Sequence, residues 1–457
     1  MCGHSPRARE RRTVLITFAL GLGTFLILFD VTAVVVAMPG IAGDLGFAVA
    51  GSAWVIDAYS LAFTGALLAS GALADRFGRR RSMLTGNAVF LVASIACGMS
   101  SDGAMLLASR VLQGFGAAFM VTGAIALVAG AFPGLDQRAR AFGTIGVISG
   151  VAMALGPTLG GLLASWLGWR WIFYANIPFC LLLAVLVPRL VTETRDPDGS
   201  PLDLAGIALF TISLGLAIDA LLRRDGALAV RAAGLAGSAT AALLFVWQQW
   251  RRARPVLDPR VFATPAMAGL GALLTAIQFG YWAAIVYLPL FLSAGLTISM
   301  DVAGLSLLAA TLPMLLIPMF GGRFVTQWGW RRFFVVAFGI IAAGDALLVL
   351  AAVSANPAMR FGATLAGMLA IGIGAALANP QMSGVVLALA PPAQAGRASA
   401  VILIVRQAGF AFSIAALGAT LASTDMASAF ALPFALAALA ALAAILAARI
   451  LLPAKSP

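Results

Sequence analysis

Charged side chains inside otherwise apolar stretches are the residues of this sequence that could do chemistry. Asp30 and Asp57 interrupt the first two apolar stretches, and Arg110 interrupts the fourth. An ionised side chain at the centre of a hydrocarbon layer costs about 2.5–3.5 kcal/mol on insertion scales, so it usually faces a cavity or a partner. We therefore expect Asp30 to serve proton or substrate coupling and Asp57 to be a second acidic site. Arginine does not lose its proton, so Arg110 should pair with a carboxylate or with carbonyl groups.

Each of these three residues also has a structural interpretation, which the sequence leaves open. Asp30 could be hydrogen-bonded to a neighbouring helix, and Asp57 could be hydrated near the outer interface. Arg110 could extend its side chain to the interface, as long basic side chains do.

Five further residues are predicted to line a substrate cavity together with Asp30. Ile27 and Val34 share its helical face on a period of 3.6 residues, and Gln113 follows Arg110 by one turn. The other two are charged residues in the eleventh and thirteenth apolar stretches, Asp345 and Arg406. For Arg406 the alternative is an arginine that extends to the cytoplasmic interface.

Residue types that common enzymes need are missing or stand in the wrong context. Lys455 is the only lysine and has no glycine-rich loop before it, so there is no phosphate-binding loop. His4 is the only histidine, which excludes a zinc-binding helix. The three cysteines, Cys2, Cys97 and Cys180, indicate neither a disulfide framework nor a metal site. We expect a protein that is not an enzyme and uses no cofactor or metal.

The composition requires that these residues be positioned by membrane helices. Of 457 residues, 62% are hydrophobic and 10% are charged, whereas soluble domains carry about 25% charged residues. The mean hydropathy is +1.02. The net charge of +12 comes mostly from short clusters between apolar runs, which is typical of cytoplasmic membrane loops and predicts no nucleic-acid partner. The chain is therefore an all-α integral membrane protein.

Fourteen segments are long and apolar enough to cross a bilayer, which takes about 20 residues. The predicted spans are 14–38, 53–73, 83–100, 104–130, 142–165, 171–188, 204–222, 230–250, 266–293, 302–322, 333–353, 360–378, 399–422 and 427–450. An even number puts both termini on one side. Segments on that side hold 22 basic residues and those on the other side hold 5, which predicts a multi-pass protein with both termini in the cytoplasm.

An internal repeat divides the chain. The segment 71–81 after the second span and the segment 322–332 after the tenth each carry two glycines seven residues apart, and the copies are separated by 251 residues. This indicates two six-helix halves with a two-helix insert between them. The predicted units are a cytoplasmic tail (1–13), an N-terminal bundle (14–190), a linker with two extra helices (191–265), a C-terminal bundle (266–452) and a second tail (453–457).

Five motifs, in order and at the expected helices, resemble those of the major facilitator superfamily, in particular its fourteen-span drug–proton antiporter branch. They lie at 28–39 in the first helix, 71–81 in the following loop, 110–116 in the fourth helix, 146–161 in the fifth and 169–178 at the start of the sixth. The loop motif contains Gly71, Asp75, Arg76, Gly78, Arg79 and Arg80. The fifth-helix motif of antiporters contains Gly146, Gly150, Gly156, Pro157, Gly160 and Gly161.

The sequence departs from the pattern of the superfamily at two places. The second loop copy carries Thr326 and Gln327 where Asp and Arg are usual. This copy therefore lacks the residues for a charged contact in the C-terminal half. The first helix carries Val35 where Asn is usual, which could alter the substrate face.

The resemblance implies a proton-coupled antiporter that exports amphipathic drug-like compounds or antibiotics by alternating access. It also implies a role for Arg110 in proton coupling with a first-helix acid. The fixed arrangement of Gly, Asp and Arg in the loop motif favours a pairing of Asp75 with an arginine or a helix N-terminus across the halves, and the alternative is that these residues are ordinary cytoplasmic loop charges. The expected partners are the small-molecule substrate, protons and the bilayer of a bacterial-type cytoplasmic membrane, with the protein working as a monomer driven by the proton gradient. The alternatives are a proton-coupled or facilitative importer of a small metabolite, and a membrane sensor that does not transport.

Overall fold

The computed structural model describes residues 6–46, 53–132, 135–195, 203–223, 228–252, 255, 257–389, 395–421 and 427–453. Every regular element in this part of the chain is helical. The α-helices are α1 (Pro6–Leu45), α2 (Trp54–Phe77), α3 (Arg79–Gly98), α4 (Gly103–Ala131), α5 (Leu135–Trp166), α6 (Arg170–Tyr174), α7 (Asn176–Leu190), α8 (Leu204–Leu222), α9 (Leu228–Arg251), α10 (Pro265–Ile277), α11 (Ala284–Leu290), α12 (Met300–Ser306), α13 (Leu308–Leu316), α14 (Pro318–Val353), α15 (Pro357–Leu389), α16 (Ala395–Gly418) and α17 (Ala431–Leu451). Two π-helical turns, Gln278–Ala283 and Phe291–Gly295, flank α11, and two short 3₁₀ turns precede α10 and α17.

Within the described residues, twelve helices are long and apolar enough to cross a membrane, or thirteen if the bent pair Trp54–Leu67 and Ala69–Phe77 counts as one span. All fourteen predicted segments fall on helices, but two of them are not straight. The second bends by 50°. The tenth is interrupted at Ile317, directly before Pro318, because proline lacks the N–H that continues a helix. At the amino end, α1 begins at Pro6, so residues 6–13 of the predicted tail belong to this helix.

The helices form two groups that correspond to the two copies of the repeat. In the first, α1 packs against α5, and α4 packs against α2 and α3. In the second, α14 packs against α15 and α17, and α10 also contacts α17. Small residues let the axes approach: a Cβ built on Gly116 would lie 2.6 Å from Phe90 N, and one built on Gly344 would lie 2.8 Å from Gly367 O.

The repeat is also visible in the backbone. Gly78 separates α2 from α3 with a φ of 114°, and Gly329 interrupts α14 with a φ of 73°. Residues with a Cβ rarely adopt these angles, so the paired glycines of the two loop copies are required by the same break between helices.

Helices α8 and α9 pack on each other and form the insert between the two groups. Asp203 caps α8 by accepting a hydrogen bond from Gly206 N at 2.9 Å, and it also accepts from Gln248 Nε2 at 2.8 Å and Gln249 Nε2 at 2.7 Å. Arg252 adds an ion pair at 3.2 Å. Burial acts to raise the pKa of Asp203, but these donors outweigh it and hold the pKa below its usual value. One ionised carboxylate thus joins both helices of the insert at one end.

Candidate functional site

A buried polar cluster lies among the helices of the N-terminal half. Asp30 comes from α1, Ser94 from α3, Arg110 and Gln113 from α4, and Asn176 from the first turn of α7. A separation of three residues puts Arg110 and Gln113 on the same face of α4. All five side chains are buried, although four different apolar helices supply them.

The centre of the cluster is an ion pair that is closed to solvent. Arg110 NH1 lies 2.6 Å from Asp30 Oδ2, and neither side chain has any exposed surface. Arg110 Nε also donates to Val55 O at 2.9 Å, and its guanidinium stacks over the Tyr59 ring at 4.3 Å. Arginine suits a buried pair of this kind because its planar donors are fixed in geometry and weakly hydrated.

Two amide groups complete the hydrogen bonds to the other carboxylate oxygen. Gln113 Nε2 donates to Asp30 Oδ1 at 2.9 Å, and Asn176 Nδ2 donates to the same atom at 2.8 Å. Gln113 also accepts from Arg110 NH1 at 2.6 Å and donates to Ser94 Oγ at 2.9 Å. The Asp30 carboxylate thus accepts hydrogen bonds from three donor residues, Arg110, Gln113 and Asn176.

Asp57 is not part of this cluster. Its side chain is fully buried, and neither carboxyl oxygen has a hydrogen-bond partner among the described residues. It shares a stripe of α2 with Leu61 and Gly65, four and eight residues on, which contact the insert at Gly215 and Thr211 of α8. The predicted interfacial hydration of Asp57 therefore has no counterpart here, because the residue is shielded from solvent.

Within the part of the chain that the structure describes, Gln113 is the predicted cavity residue that hydrogen-bonds Asp30. Ile27 and Val34 are buried in apolar contacts. Asp345 is fully buried in the C-terminal half. Arg406 is partly buried and donates a hydrogen bond to Asn379 Oδ1 of α15. The cavity assignments remain predictions.

The fifth-helix motif packs against both halves. Gly156 and Gly160 face α1: a Cβ on Gly160 would lie 2.7 Å from Ala33 Cα, and one on Gly156 would overlap Thr32 Oγ1. Gly150 and Gly161 face the C-terminal half instead, with Gly161 Cα 3.2 Å from a Cβ built on Gly304. Gly146 has open space around it.

Two hydrogen bonds join the fifth-helix motif region to the C-terminal half. Thr158 Oγ1 donates to Gly304 O at 3.2 Å, and Thr311 Oγ1 donates to Ala154 O at 3.2 Å. Pro157 lies beside this contact, since its carbonyl oxygen would be 3.1 Å from a Cβ on Gly304. The motif thus forms a close contact between α5 and the pair α12 and α13.

The loop motif makes its contacts within the N-terminal half. Asp75 pairs with Arg79 of the same half at 2.9 Å, and the expected pairing across the halves stays a prediction. Arg80 donates from its guanidinium to Val191 O at 3.1 Å. Arg76 is exposed above the ring of Phe77 at 5.7 Å. Gly71 lies close to Thr122 of α4.

Three residues of these sites were not singled out from the sequence. Asn176 lies within the sixth-helix motif, but its type gave no indication that it reaches α1. Ser94 is a serine in an apolar stretch, which is a weak signal. Glu193 caps α3 by accepting from Arg80 N at 2.9 Å and Arg81 N at 3.1 Å, across more than a hundred residues of chain.

Among the described residues, no group of three His, Cys, Asp or Glu side chains is placed to hold a metal ion. Comparison with known proteins then decides the family, because residues 20–283 match the Major Facilitator Superfamily. The chain belongs to this superfamily.

Curated members of the superfamily place the chain in the drug-efflux branch. It is 33% identical over 324 residues to "Multidrug resistance protein Stp" of Mycobacterium tuberculosis (strain CDC 1551 / Oshkosh), covering 70% of this chain and 60% of that protein. It is 30% identical over 361 residues to "Drug efflux pump JefA" of the same strain (78% and 70% covered). It is 34% identical over 361 residues to "Cephamycin export protein CmcT" of Amycolatopsis lactamdurans (76% and 72% covered). The matched region thus spans about 60% of the length of Stp.

Solved structures of the superfamily share the fold. A D-xylose-proton symporter matches with a TM-score of 0.69 at 15% identity, covering 96% of this chain and 98% of that one. An auto-inhibited peptide transporter of the POT family matches with a TM-score of 0.68 at 16% identity, covering 98% of both chains. At this identity the likeness concerns the helical architecture alone.

Proposed function

We propose that this transporter is a proton-coupled antiporter that exports amphipathic drug-like compounds or antibiotics by alternating access. The observation that carries the proposal is the buried Asp30–Arg110 pair, with its additional donors Gln113 and Asn176. A charged pair without solvent contact is costly to bury and contributes little to stability compared with an apolar replacement. Its presence in a membrane helix bundle is best explained by a function that uses the charge.

Proton binding to Asp30 would change the balance of this cluster. A neutral carboxylic acid no longer attracts Arg110 as an ion, so Arg110 would be left as a buried charge with weaker acceptors. The conformation with the closed pair is then disfavoured relative to one in which water or substrate reaches Arg110. A proton and a substrate that favour opposite conformations are thereby exchanged without contacting each other.

Alternating access is supported by the two-half architecture and by the contact between α5 and α12–α13. We propose fourteen crossings, with the bent second segment and the broken tenth segment each completing one. The two halves (14–190 and 266–452) would rock about the central site, with the insert in 191–265 beside them. The distribution of basic residues supports cytoplasmic termini in a bacterial-type inner membrane. Because one chain contains both halves, a monomer suffices.

The substrate class is proposed from two observations. The interior that surrounds the cluster is mostly apolar, and the buried acids Asp30 and Asp57 suit compounds that are cationic at one end. Three similar curated proteins have names that describe multidrug resistance, drug efflux and cephamycin export. Together these favour amphipathic molecules over sugars or peptides.

The test uses inverted membrane vesicles with an acidic lumen and a panel of lipophilic cations, neutral antibiotics and anions. Substrates should be taken into the lumen in exchange for protons, so that the lumen becomes more alkaline. Asp30→Asn should reduce this response by at least about tenfold, since it removes the ionised partner of Arg110. The matched control is Asp219→Asn, which changes an exposed aspartate that pairs with Arg223 at 3.0 Å and should leave the response intact.

Three results would contradict the proposal. Normal proton-linked export by Asp30→Asn would exclude this residue as the coupling acid. Transport in the opposite direction would identify an importer. Binding of compounds without any transport by the folded protein would identify a sensor.

A further inference from the structure

Asp345 of α14 is a buried acid that the proposed cycle does not use. The side chain has no exposed surface, and neither of its carboxyl oxygens has a hydrogen-bond partner among the described residues. An ionised carboxylate without donors in an apolar interior is far too costly, so such a group takes up a proton and becomes neutral. This distinguishes Asp345 from Asp30, whose carboxylate is surrounded by donors.

The acid lies where three elements of the C-terminal half meet. A Cβ built on Gly280 would be 3.3 Å from Asp345 Oδ2 and 3.7 Å from Ala437 O of α17. Gly280 belongs to the π-helical turn Gln278–Ala283 between α10 and α11. Such turns loosen the regular backbone bonding of a helix and occur frequently at functional sites.

The internal repeat relates Asp345 to the polar cluster of the other half. The separation of 251 residues that relates Gly78 to Gly329 also relates Ser94 to Asp345. The packing keeps this register. A Cβ on Gly116 would lie 2.7 Å from Gly86 O, and one on Gly374 would lie 2.6 Å from the O atom of Ala337, the repeat equivalent of Gly86.

Ser94 is the residue that hydrogen-bonds Gln113 and thereby contacts the Asp30–Arg110 cluster. The C-terminal half therefore places an acid at the position that corresponds to one member of the N-terminal cluster. Among the described residues no arginine pairs with it: by the Gly116–Gly374 pairing, the position matching Arg110 is the buried Met368. The second half thus has the acid of a coupling site without the cation that would keep it charged.

The titratable groups on the elements packed around Asp345 do not neutralise it. The Tyr281 hydroxyl donates to Ala310 O at 3.2 Å, away from the acid. Arg360 lies in the first turn of α15 and Arg449 in the last turn of α17. On α14 itself, Arg331 donates to Leu452 O at 2.9 Å, and Arg332 lies beside it more than three turns before Asp345. None of these arginines forms an ion pair with Asp345 in the described part of the chain.

We propose that Asp345 is a second proton-binding site, located in the C-terminal half. In this conformation it is the carboxylic acid, and its O–H proton passes to water when movement of the halves hydrates the π-helical turn beside it. Asp345 then carries one proton per cycle in addition to the one on Asp30. The transport part of this inference rests on the proposed antiport, whereas the protonation of Asp345 does not.

The protonation is tested on the purified protein in lipid by infrared difference spectroscopy between wild type and Asp345→Asn at neutral pH. The wild type should show a carboxylic-acid C=O band that shifts in D₂O and that Asp345→Asn lacks. Asp57→Asn is the matched control, because it removes the other buried, unpartnered carboxyl and should leave the Asp345 band in place. Equal spectra for wild type and Asp345→Asn in this region would show that Asp345 is ionised and would overturn the proposal.

The coupling is tested by the number of protons exchanged per substrate in proteoliposomes. Asp345→Asn keeps the shape of the neutral acid, so export should persist while the ratio falls by about one proton per substrate. An unchanged ratio would overturn the second site. If Asp345→Asn does not fold, Asp345→Glu keeps the carboxyl and should keep the wild-type ratio with an altered infrared band. Absence of any substrate-linked proton movement in the wild type would contradict the proposed antiport, and the infrared band would still decide the state of Asp345.

Discussion

The buried acids of the two halves differ in their surroundings. Asp30 accepts hydrogen bonds from an arginine and two amide donors. Asp345 has no hydrogen-bond partner among the described residues, and we propose that it is protonated. Single donors around Asp30 should therefore have large effects, because hydrogen bonds to charged groups contribute about 1.5–3 kcal/mol each.

Asn176→Leu should reduce proton-coupled export by about 10- to 100-fold, which is what the loss of one charged hydrogen bond of that strength corresponds to. The variant removes the 2.8 Å contact to Asp30 Oδ1 and leaves Arg110 in place. The measurement is the initial rate of substrate-induced alkalinisation in inverted vesicles, with the unfolding temperature recorded alongside.

The control for this prediction is Asn87→Leu. Asn87 is also a buried asparagine beside α7 and donates to Cys180 O at 3.0 Å, but it does not contact the cluster. Both variants should lower the unfolding temperature by similar amounts, and only Asn176→Leu should lose transport. Equal transport in the two variants would mean that Asn176 serves packing alone.

At the scale of single elements, the glycine motif of α5 makes close contacts with more than one part of the molecule. Gly150 and Gly161 of this motif face the C-terminal half. Gly156 and Gly160 instead allow α5 to approach α1, which carries Asp30. The periodicity of the motif predicts which residues share a face, but it does not say which helix that face will meet.

Gly160→Ala should lower the free energy of unfolding by about 1–3 kcal/mol and reduce export, because its new methyl group would overlap the backbone of Ala33. The same substitution at Gly146, in the same motif and helix, meets open space and should be neutral. Thermal unfolding in detergent and the vesicle assay compare the two variants. Similar losses at both positions would show that helix flexibility, rather than close approach to α1, requires these glycines.

Much of the fold could be predicted from the sequence, since apolar length, basic loops and the spaced glycines of the repeat are local signals. The broken tenth segment was not predicted, although Pro313 and Pro318 were visible. The site was predicted in part: charges in apolar segments identified Asp30 and Arg110. Asn176 and Glu193 were missed because their hydrogen-bond partners are far away in sequence. A single asparagine or glutamate gives no sequence pattern from which a distant partner can be predicted.

At the scale of the whole molecule, the insert touches both halves. Helix α8 contacts α2 through Thr211, which lies against Gly65, and its last residue, Leu222, lies 3.3 Å from a Cβ built on Gly418 of α16. If the halves move relative to each other as proposed, α8 must either slide against one half or move together with it. The contact between α5 and α12–α13 joins the two halves directly, so we expect it to open and close if the proposed alternating access operates.

Cross-linking Ala154→Cys to Thr311→Cys in a background without native cysteines should stop export, and reduction should restore it. Thr311 Oγ1 already donates to Ala154 O at 3.2 Å, so the pair lies within reach of a short bis-thiosulfonate reagent, which links the two cysteines through reducible disulfides. The control pair is Ser213→Cys with Ser238→Cys, which joins α8 to α9 where each hydroxyl bonds the other residue's carbonyl at 3.0 and 2.8 Å. A link within the insert moves as one body and should leave transport unchanged. If the α5–α13 link left export intact, these helices would not separate during transport, and the halves would have to open at other contacts, such as α1 with α11 or α2 with α16.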